Sequence, residues 1–165
     1  MRAASLARDA WQDLLDGRFA DALPKAQQAL ALREQVLGPD HLAVAASLNT
    51  LGEIYRAHGQ FDDAERVHRR ALTIREKHLG PGNPDVATTL NNLAMLHNAR
   101  AVYAEAESLL KRALSIIERA RETPQQNRRL EAEILENLAK VYRALGRIAE
   151  AEEAQAKAML LWTTQ

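Results

Sequence analysis

Residues 48–52 read Leu-Asn-Thr-Leu-Gly, and residues 90–94, 42 residues further along the chain, read Leu-Asn-Asn-Leu-Ala. The same offset joins residues 70–72 to residues 112–114, which both read Arg-Ala-Leu. Self-similarity at a fixed period of about 20–50 residues is the signature of a repeat architecture. The chain is therefore predicted to be built from repeated units, each about 42 residues long.

The repeat extends towards both ends of the chain. Residues 37–39 and 79–81 both read Leu-Gly-Pro, and the Leu-Ala pair at 93–94 returns at 138–139, now with an offset of 45 residues. The last unit is therefore joined by a connection three residues longer. We expect about four units, at residues 4–36, 42–78, 84–121 and 126–162.

Each unit has the apolar periodicity of two amphipathic helices. Leu48, Leu51, Gly52 and Tyr55 are spaced i, i+3, i+4 and i+7, which places them on one helix face. The predicted helices cover residues 4–16, 19–36, 42–57, 61–78, 84–99, 103–121, 126–144 and 148–162.

Glycine and proline residues punctuate this pattern. Gly38 and Gly80 can adopt the left-handed conformation that ends a helix. Pro24 lies one turn inside the second predicted helix, where it should weaken or bend that helix because it has no backbone N–H to donate.

The order of these residues resembles the tetratricopeptide repeat: Leu-x-x-Leu-Gly/Ala-x-x-Tyr, an aromatic residue, Ala-Glu and then Arg-Ala-Leu. The 42-residue period and the stretch from residue 74 to residue 94 are similar to repeats of the kinesin-light-chain type. The resemblance implies an all-α fold, a right-handed α-solenoid of about four helix-turn-helix hairpins in a single domain over residues 1–165. A lone hairpin cannot bury its apolar face, so neighbouring hairpins must stack.

Composition limits the classes of function. Lys plus Arg equals Asp plus Glu at 22 each, so the zero net charge does not favour nucleic-acid binding. There is no cysteine, which excludes disulfides, thiolate zinc sites and cysteine nucleophiles. No apolar run approaches the roughly 20 residues that span a bilayer, and a cytoplasmic protein without membrane contact is expected. Because no catalytic or phosphate-binding motif is present either, we expect neither an enzyme nor a cofactor.

The five histidines do not predict a metal site. His68 and His97 occupy positions normally held by packing side chains, and no two histidines have the spacing of a zinc motif. A histidine that packs and hydrogen-bonds inside the fold is the favoured interpretation.

In tetratricopeptide arrays, the first helix of each hairpin lines the concave surface. The residues implied to bind a peptide there are Asn49, Glu53, Arg56, Asn91, Asn92, Met95, Asn98, Asn137, Lys140 and Arg143. Asparagine is a poor helix former, and its amide both donates and accepts, so it can hold the backbone of an extended peptide. The alternative is that these amides bond across neighbouring hairpins and order the stack.

The resemblance therefore implies a binding module for a protein or an extended peptide. A carboxylate-clamp activity is disfavoured, because Glu133 and Asn137 stand where such a clamp needs basic residues. Two other functions stay open. The array could be a sensor that changes curvature on binding a signalling peptide or small ligand, or a purely structural segment that forms oligomers.

The last predicted helix ends in apolar residues. Leu160 stands where the two preceding units have Thr73 and Ser115, and Trp162 stands where they have Arg75 and Ile117. Met159 lies beside them. An exposed apolar patch usually marks a contact, so Met159, Leu160 and Trp162 are predicted to form a homodimer contact. The alternative is that Trp162 folds back onto Ile148 and the preceding helix.

Overall fold

The computed structural model describes residues 2–120 and 124–163, and all of its regular structure within these ranges is α-helical. The helices are α1 (Arg2–Leu15), α2 (Phe19–Leu37), α3 (Leu42–Ala57), α4 (Phe61–Leu79), α5 (Pro84–Ala99), α6 (Tyr103–Arg119), α7 (Pro124–Ala144) and α8 (Ile148–Thr163). They agree with the helices predicted from the sequence to within two residues at each end, except that residue 121, the predicted end of α6, lies outside the described ranges.

The chain divides into two compact units, Met1–His78 and Leu79–Gln165, each of which holds two hairpins. In the first unit, α1 packs against α2, and α3 contacts both of them. In the second unit, α5 packs against α6, α7 contacts both, and α8 packs against α7. The all-α, hairpin-repeat fold class is confirmed.

Small residues allow the two helices of each hairpin to pack closely. Ala22, Ala64, Ala106 and Ala151 occupy equivalent positions in the four second helices, and none has any exposed surface. Larger aliphatic side chains on the first helices, such as Leu48 and Leu90, belong to the core and are at most 1% exposed. The abundance of alanine in the sequence therefore serves close helix packing.

The turn inside each hairpin requires a left-handed residue. Gly17, Gly59 and Gly146 have φ values of 73°, 76° and 74°, whereas the third hairpin has Ala101 at a φ of 58°. A residue with a Cβ pays about 1–2 kcal/mol for this conformation. The third turn is therefore strained, although its backbone follows the same path.

Pro24 lies inside α2, which continues without interruption to Leu37. The missing N–H at Pro24 removes the helical hydrogen bond that would reach back four residues. The side chain is exposed, so its ring displaces nothing from the core. The helix thus tolerates the proline, and it is packing against α1 and α3 that holds it together.

A buried carboxylate closes the first hairpin. Asp13 is 4% exposed and accepts hydrogen bonds from Lys25 Nζ at 2.5 Å and from Arg18 Nη2 at 2.6 Å. Hydrogen bonding to Lys25, followed by that to Arg18, lowers the pKa of the Asp13 carboxyl below its usual 3.8, although burial opposes the shift. The carboxylate is therefore stabilised in its charged form.

We expect Asp13 to make part of the free energy of unfolding depend on pH. Because its pKa is lower in the folded chain than in the unfolded chain, its contribution is complete above the unfolded value and is lost as the pH falls below about 4 through the folded value. Chemical denaturation of the parent and of Asp13→Asn across this range should show the parent more stable at neutral pH and the difference shrinking in acid. Parallel stability curves for the two proteins would contradict this role.

Candidate peptide-binding faces

In the first unit, the predicted site residues Asn49, Glu53 and Arg56 lie on α3, and we call them the α3 face. Arg56 Nη2 lies 2.8 Å from Glu53 Oε2, and both side chains are partly buried. Burial raises the pKa of the Glu53 carboxyl, but His68 and Arg56 outweigh burial and hold it below 4.5. The two opposite charges of this face therefore neutralise each other.

Asn49 is mostly buried, at 7% exposure, and it faces a histidine of the neighbouring helix. Its Oδ1 lies 3.2 Å from Nδ1 of His68, which is fully buried. The other ring nitrogen of His68 is 3.5 Å from Glu53 Oε1, at the outer limit of a hydrogen bond. His68 is therefore a packed core side chain that links α4 to α3.

Gly52 makes room for the His68 ring. A Cβ atom at Gly52 would lie 2.4 Å from Nε2, 2.5 Å from Cε1 and 2.8 Å from Cδ2 of that ring. These distances are far below van der Waals contact, so α3 and α4 can approach as they do only with glycine here. Gly52 therefore sets how closely α3 can approach the buried ring of His68.

In the second unit, two of the predicted amides bind each other. Asn137 Nδ2 on α7 donates to Asn91 Oδ1 on α5 at 3.0 Å, and Lys140 Nζ donates to Asn137 Oδ1, also at 3.0 Å. Both asparagines are 8% exposed. This is the stack-ordering arrangement that the sequence left as the alternative, and contact with a peptide stays a prediction for these residues.

The pairing does not follow the repeat register. The 45-residue offset matches Asn137 with Asn92, and Glu136 with Asn91. The hydrogen bond instead joins Asn137 to Asn91, one position away along α5. The amides therefore meet because adjacent helices bring them together, and not because they are equivalent in the repeat.

Around this buried pair lies a row of more accessible side chains, which we call the α5–α7 face. Met95 and Asn98 follow Asn91 on α5 at the four- and seven-residue spacing of one helix face, and both are half-buried. Asn92 is also half-buried, while Lys140 and Arg143 on α7 are exposed. Arg143 Nη2 lies 3.3 Å from the neutral Gln155 Oε1.

Sequence reasoning missed one aromatic residue. Trp11 on α1 is 44% exposed, and the 42-residue offset places it at the position of Glu53 and Met95. Large exposed aromatics are enriched at protein contacts. The sequence signal that identifies Trp11 is its repeat position, which is the position of Glu53 and Met95 among the residues implied to bind a peptide.

The predicted contact residues at the end of α8 are accessible. Met159, Leu160 and Trp162 are 59%, 67% and 47% exposed. Ile148 and Trp162 lie at opposite ends of α8, so Trp162 does not fold onto Ile148. Its Nε1 instead donates to Glu136 Oε1 on α7 at 2.8 Å. The alternative interpretation is therefore correct only in that Trp162 reaches the preceding helix.

Metal binding and membrane insertion are two other properties that side chains and helices can indicate. Across residues 2–120 and 124–163, no cluster of three or more His, Asp or Glu side chains is arranged to hold a metal ion. Among the helices described, none is both long and apolar enough to cross a membrane.

Stacked helical hairpins whose first helices carry polar side chains define a helical-repeat scaffold. Tetratricopeptide-repeat models match residues 13–77, 59–119 and 132–164. The chain belongs to the tetratricopeptide repeat family, as its resemblance predicted. A comparison with curated proteins found no match.

Solved structures share this fold. BtubC (BKLC) from P. vanneervenii has a TM-score of 0.82 at 23% identity over 97% of this chain, and this chain spans 63% of that structure's length. A kinesin-light-chain-type protein of Podosopora anserina with nearly identical TPR-like repeats has a TM-score of 0.69 at 20% identity, over 98% of this chain and 95% of the other. A second structure of that Podosopora anserina protein, which carries one substitution, has a TM-score of 0.68 at 20% identity, over 97% and 94%. At such identities the likeness establishes the fold, here that of kinesin-light-chain-like repeats.

Proposed function

We propose that this protein is a binding scaffold whose α5–α7 face holds an extended segment of a partner protein. The tetratricopeptide fold is in general a scaffold for protein interactions. The observation that carries the finer proposal is the hydrogen bond from Asn137 to Asn91, which locks α5 and α7 side by side beneath the accessible Asn92, Met95, Asn98, Lys140 and Arg143.

The dimensions of this face suit an extended peptide. Packed helices lie about 8–10 Å apart, and an extended chain covers that distance in about three residues. A peptide that crosses from α5 to α7 can therefore meet the amides of Asn92 and Asn98 and then the cations of Lys140 and Arg143. Since an amide can both donate to and accept from a backbone, this grip does not depend on the peptide's sequence.

Charge supplies the selectivity. On the α3 face, Arg56 is neutralised by Glu53, so this face has little preference for charge. On the α5–α7 face, Lys140 and Arg143 are exposed and bond to the neutral Asn137 and Gln155. We infer that the preferred segment is acidic, although Glu133 and Glu136, half-buried on the same helix, limit the preference.

A display library of random dodecapeptides tests the proposal directly, with binding measured by calorimetry. The double variant Asn92→Ala/Asn98→Ala should weaken the binding of a selected peptide by roughly 5–150-fold, from about 0.5–1.5 kcal/mol for each lost hydrogen bond. The fold should persist, because alanine is the better helix former. Failure to select any binder, or an unchanged affinity in this variant, would overturn the α5–α7 face as the site.

The control for this test removes the buried pair. Asn91→Ala/Asn137→Ala eliminates both partners of one hydrogen bond, which can be nearly neutral for stability. If these amides only order the stack, any effect should appear in thermal stability. A loss of peptide affinity in a fully stable variant would instead give them the contact role predicted from the sequence.

We do not assign catalysis, a cofactor or nucleic-acid binding to this scaffold. A cytoplasmic location and a single domain over the whole chain stay predictions.

A further inference from the structure

The first hairpin shows which side of a second helix faces the next hairpin. On α2, Gln27 Nε2 donates to Tyr55 Oη at 3.1 Å and Arg33 Nη1 donates to Ser47 Oγ at 2.6 Å, both on α3. Glu34 accepts from an arginine of α4 at 2.5 Å. The row that docks the following hairpin is therefore polar and carries specific hydrogen bonds.

The same row on α8 has a different chemistry. The repeat offsets place Ala156, Trp162 and Thr163 at the positions of Gln27, Arg33 and Glu34. Met159 is at the position of Leu30, between them. The groups that bind a following hairpin in the first unit are thus replaced by apolar or smaller side chains, and Met159 and Trp162 stay half-exposed. This face suits an apolar contact and not the polar docking of another hairpin of the same kind.

The side of α1 that corresponds to the docking side of α3 is not complementary to the apolar row on α8. On α3, the residues that pack towards the preceding hairpin include Ser47 and Leu51, which are 2% and 3% exposed. The 42-residue offset puts Ser5 and Asp9 at these positions on α1, where both are exposed and polar. Joining α8 of one copy to α1 of the next would bury Asp9 against apolar side chains, at a desolvation cost. Head-to-tail stacking is therefore disfavoured.

The α8 row is complementary to itself. The large Trp162 and the small Ala156 lie three residues on either side of Met159. When two such helices cross antiparallel at Met159, the Trp162 of each copy covers the Ala156 of the other. Trp162 is also held in place by its hydrogen bond to Glu136, so little side-chain freedom is lost on association.

We propose that two copies of this chain associate through α8 about a twofold axis that passes near Met159. Such an interface is isologous and closes at the dimer, which matches a row whose complement lies on the same helix. The contact area of a single helix crossing is small, so the dimer is of the weak, concentration-dependent kind. The residues of the α8 contact row are not those of the α5–α7 face. The dimer and the peptide site can therefore be tested separately, and failure of one proposal does not affect the other.

Sedimentation velocity over a wide concentration range tests the association. We expect a monomer–dimer equilibrium, and Trp162→Ser should raise the dissociation constant by roughly 30-fold or more, the effect of losing a central aromatic anchor. Ser5→Leu, a change on the side of α1 that corresponds to the docking side of α3, should leave it unchanged. A monomer at every concentration, or species that grow beyond the dimer, would overturn the proposal.

Because the chain has no cysteine, a single introduced cysteine can locate the proposed twofold axis. A disulfide requires Cβ atoms about 3.5–4.5 Å apart, so Met159→Cys should oxidise rapidly to a covalent dimer only when the two α8 helices cross there. Val36→Cys, at a residue 76% exposed on α2, is the matched control and should crosslink slowly. Adding Trp162→Ser to Met159→Cys should lower the crosslinking rate to that of Val36→Cys. Equal crosslinking rates for Met159→Cys and Val36→Cys would refute the twofold crossing.

Discussion

Replacing Gly52 by alanine is expected to lower the free energy of unfolding by about 2–4 kcal/mol. The new methyl group would lie within 2.8 Å of three atoms of the buried His68 ring, so the ring must move and give up its contact with Asn49. The gain in helix propensity on changing glycine to alanine, about 1 kcal/mol, is too small to offset this. Thermal and denaturant unfolding of the variant measure the loss.

A second substitution, copied from the equivalent pair of another hairpin, should relieve this clash. The 42-residue offset matches Gly52 and His68 with Ala94 and Leu110, so Gly52→Ala/His68→Leu copies a pair that the third hairpin already uses. The double variant should recover most of the lost stability. Gly82→Ala is the control, because a Cβ there meets no atom within 4 Å. A stable Gly52→Ala protein, or a double variant no better than the single, would show that the His68 ring does not set the approach of α3 to α4.

Reversing the two cations of the α5–α7 face should have the largest effect on binding. For an acidic peptide, Lys140→Glu/Arg143→Glu replaces two attractions by two repulsions, and we expect the affinity to fall by roughly 100-fold. A basic peptide should bind better than it does to the parent. Calorimetry with a matched pair of acidic and basic peptides, at low and high salt, measures both changes, and both should shrink as salt screens the charges.

The control for this reversal lies in the other unit. Arg69→Glu/Lys77→Glu makes the same change of net charge on α4, outside the proposed face, where both residues are exposed. If the two double variants lose the same affinity, the effect comes from net charge alone and the α5–α7 face has no special role.

The fold could be predicted in detail because it depends on local signals that recur. The Leu-x-x-Leu-Gly/Ala spacing fixes the buried face of each first helix, and Gly38 and Gly80 mark helix ends with φ values of 85° and 83°. Because each signal recurs in the neighbouring repeats, its position can be checked against theirs. The predicted helix boundaries therefore lie within two residues of those in the structure. Pro24 was the weakest prediction, since a sequence pattern does not measure how much packing can offset a lost hydrogen bond.

The site was less predictable, because it depends on which side chains meet across helices. Asparagine at an exposed-looking helix position indicated a groove, but burial and the Asn137–Asn91 bond are set by how closely α5 and α7 approach. The link between His68 and Asn49 is similarly tertiary. The repeat register nevertheless places Ala94 and Leu110 at the positions of Gly52 and His68. It also places Trp11 at the position of Glu53. A comparison of side-chain size between equivalent positions therefore identifies both features from the sequence.

The fit between Gly52 and His68 also determines where these repeats can be exchanged. Both partners lie within one hairpin, so duplicating or transplanting a whole hairpin carries the glycine together with its histidine. An exchange that breaks inside a hairpin, joining the helix of Ala94 to the helix of His68, would bring a methyl group to the position that lies 2.4 Å from the imidazole. The connection between hairpins is therefore the junction at which this array can grow, shrink or recombine without a clash, and the turn within a hairpin is not.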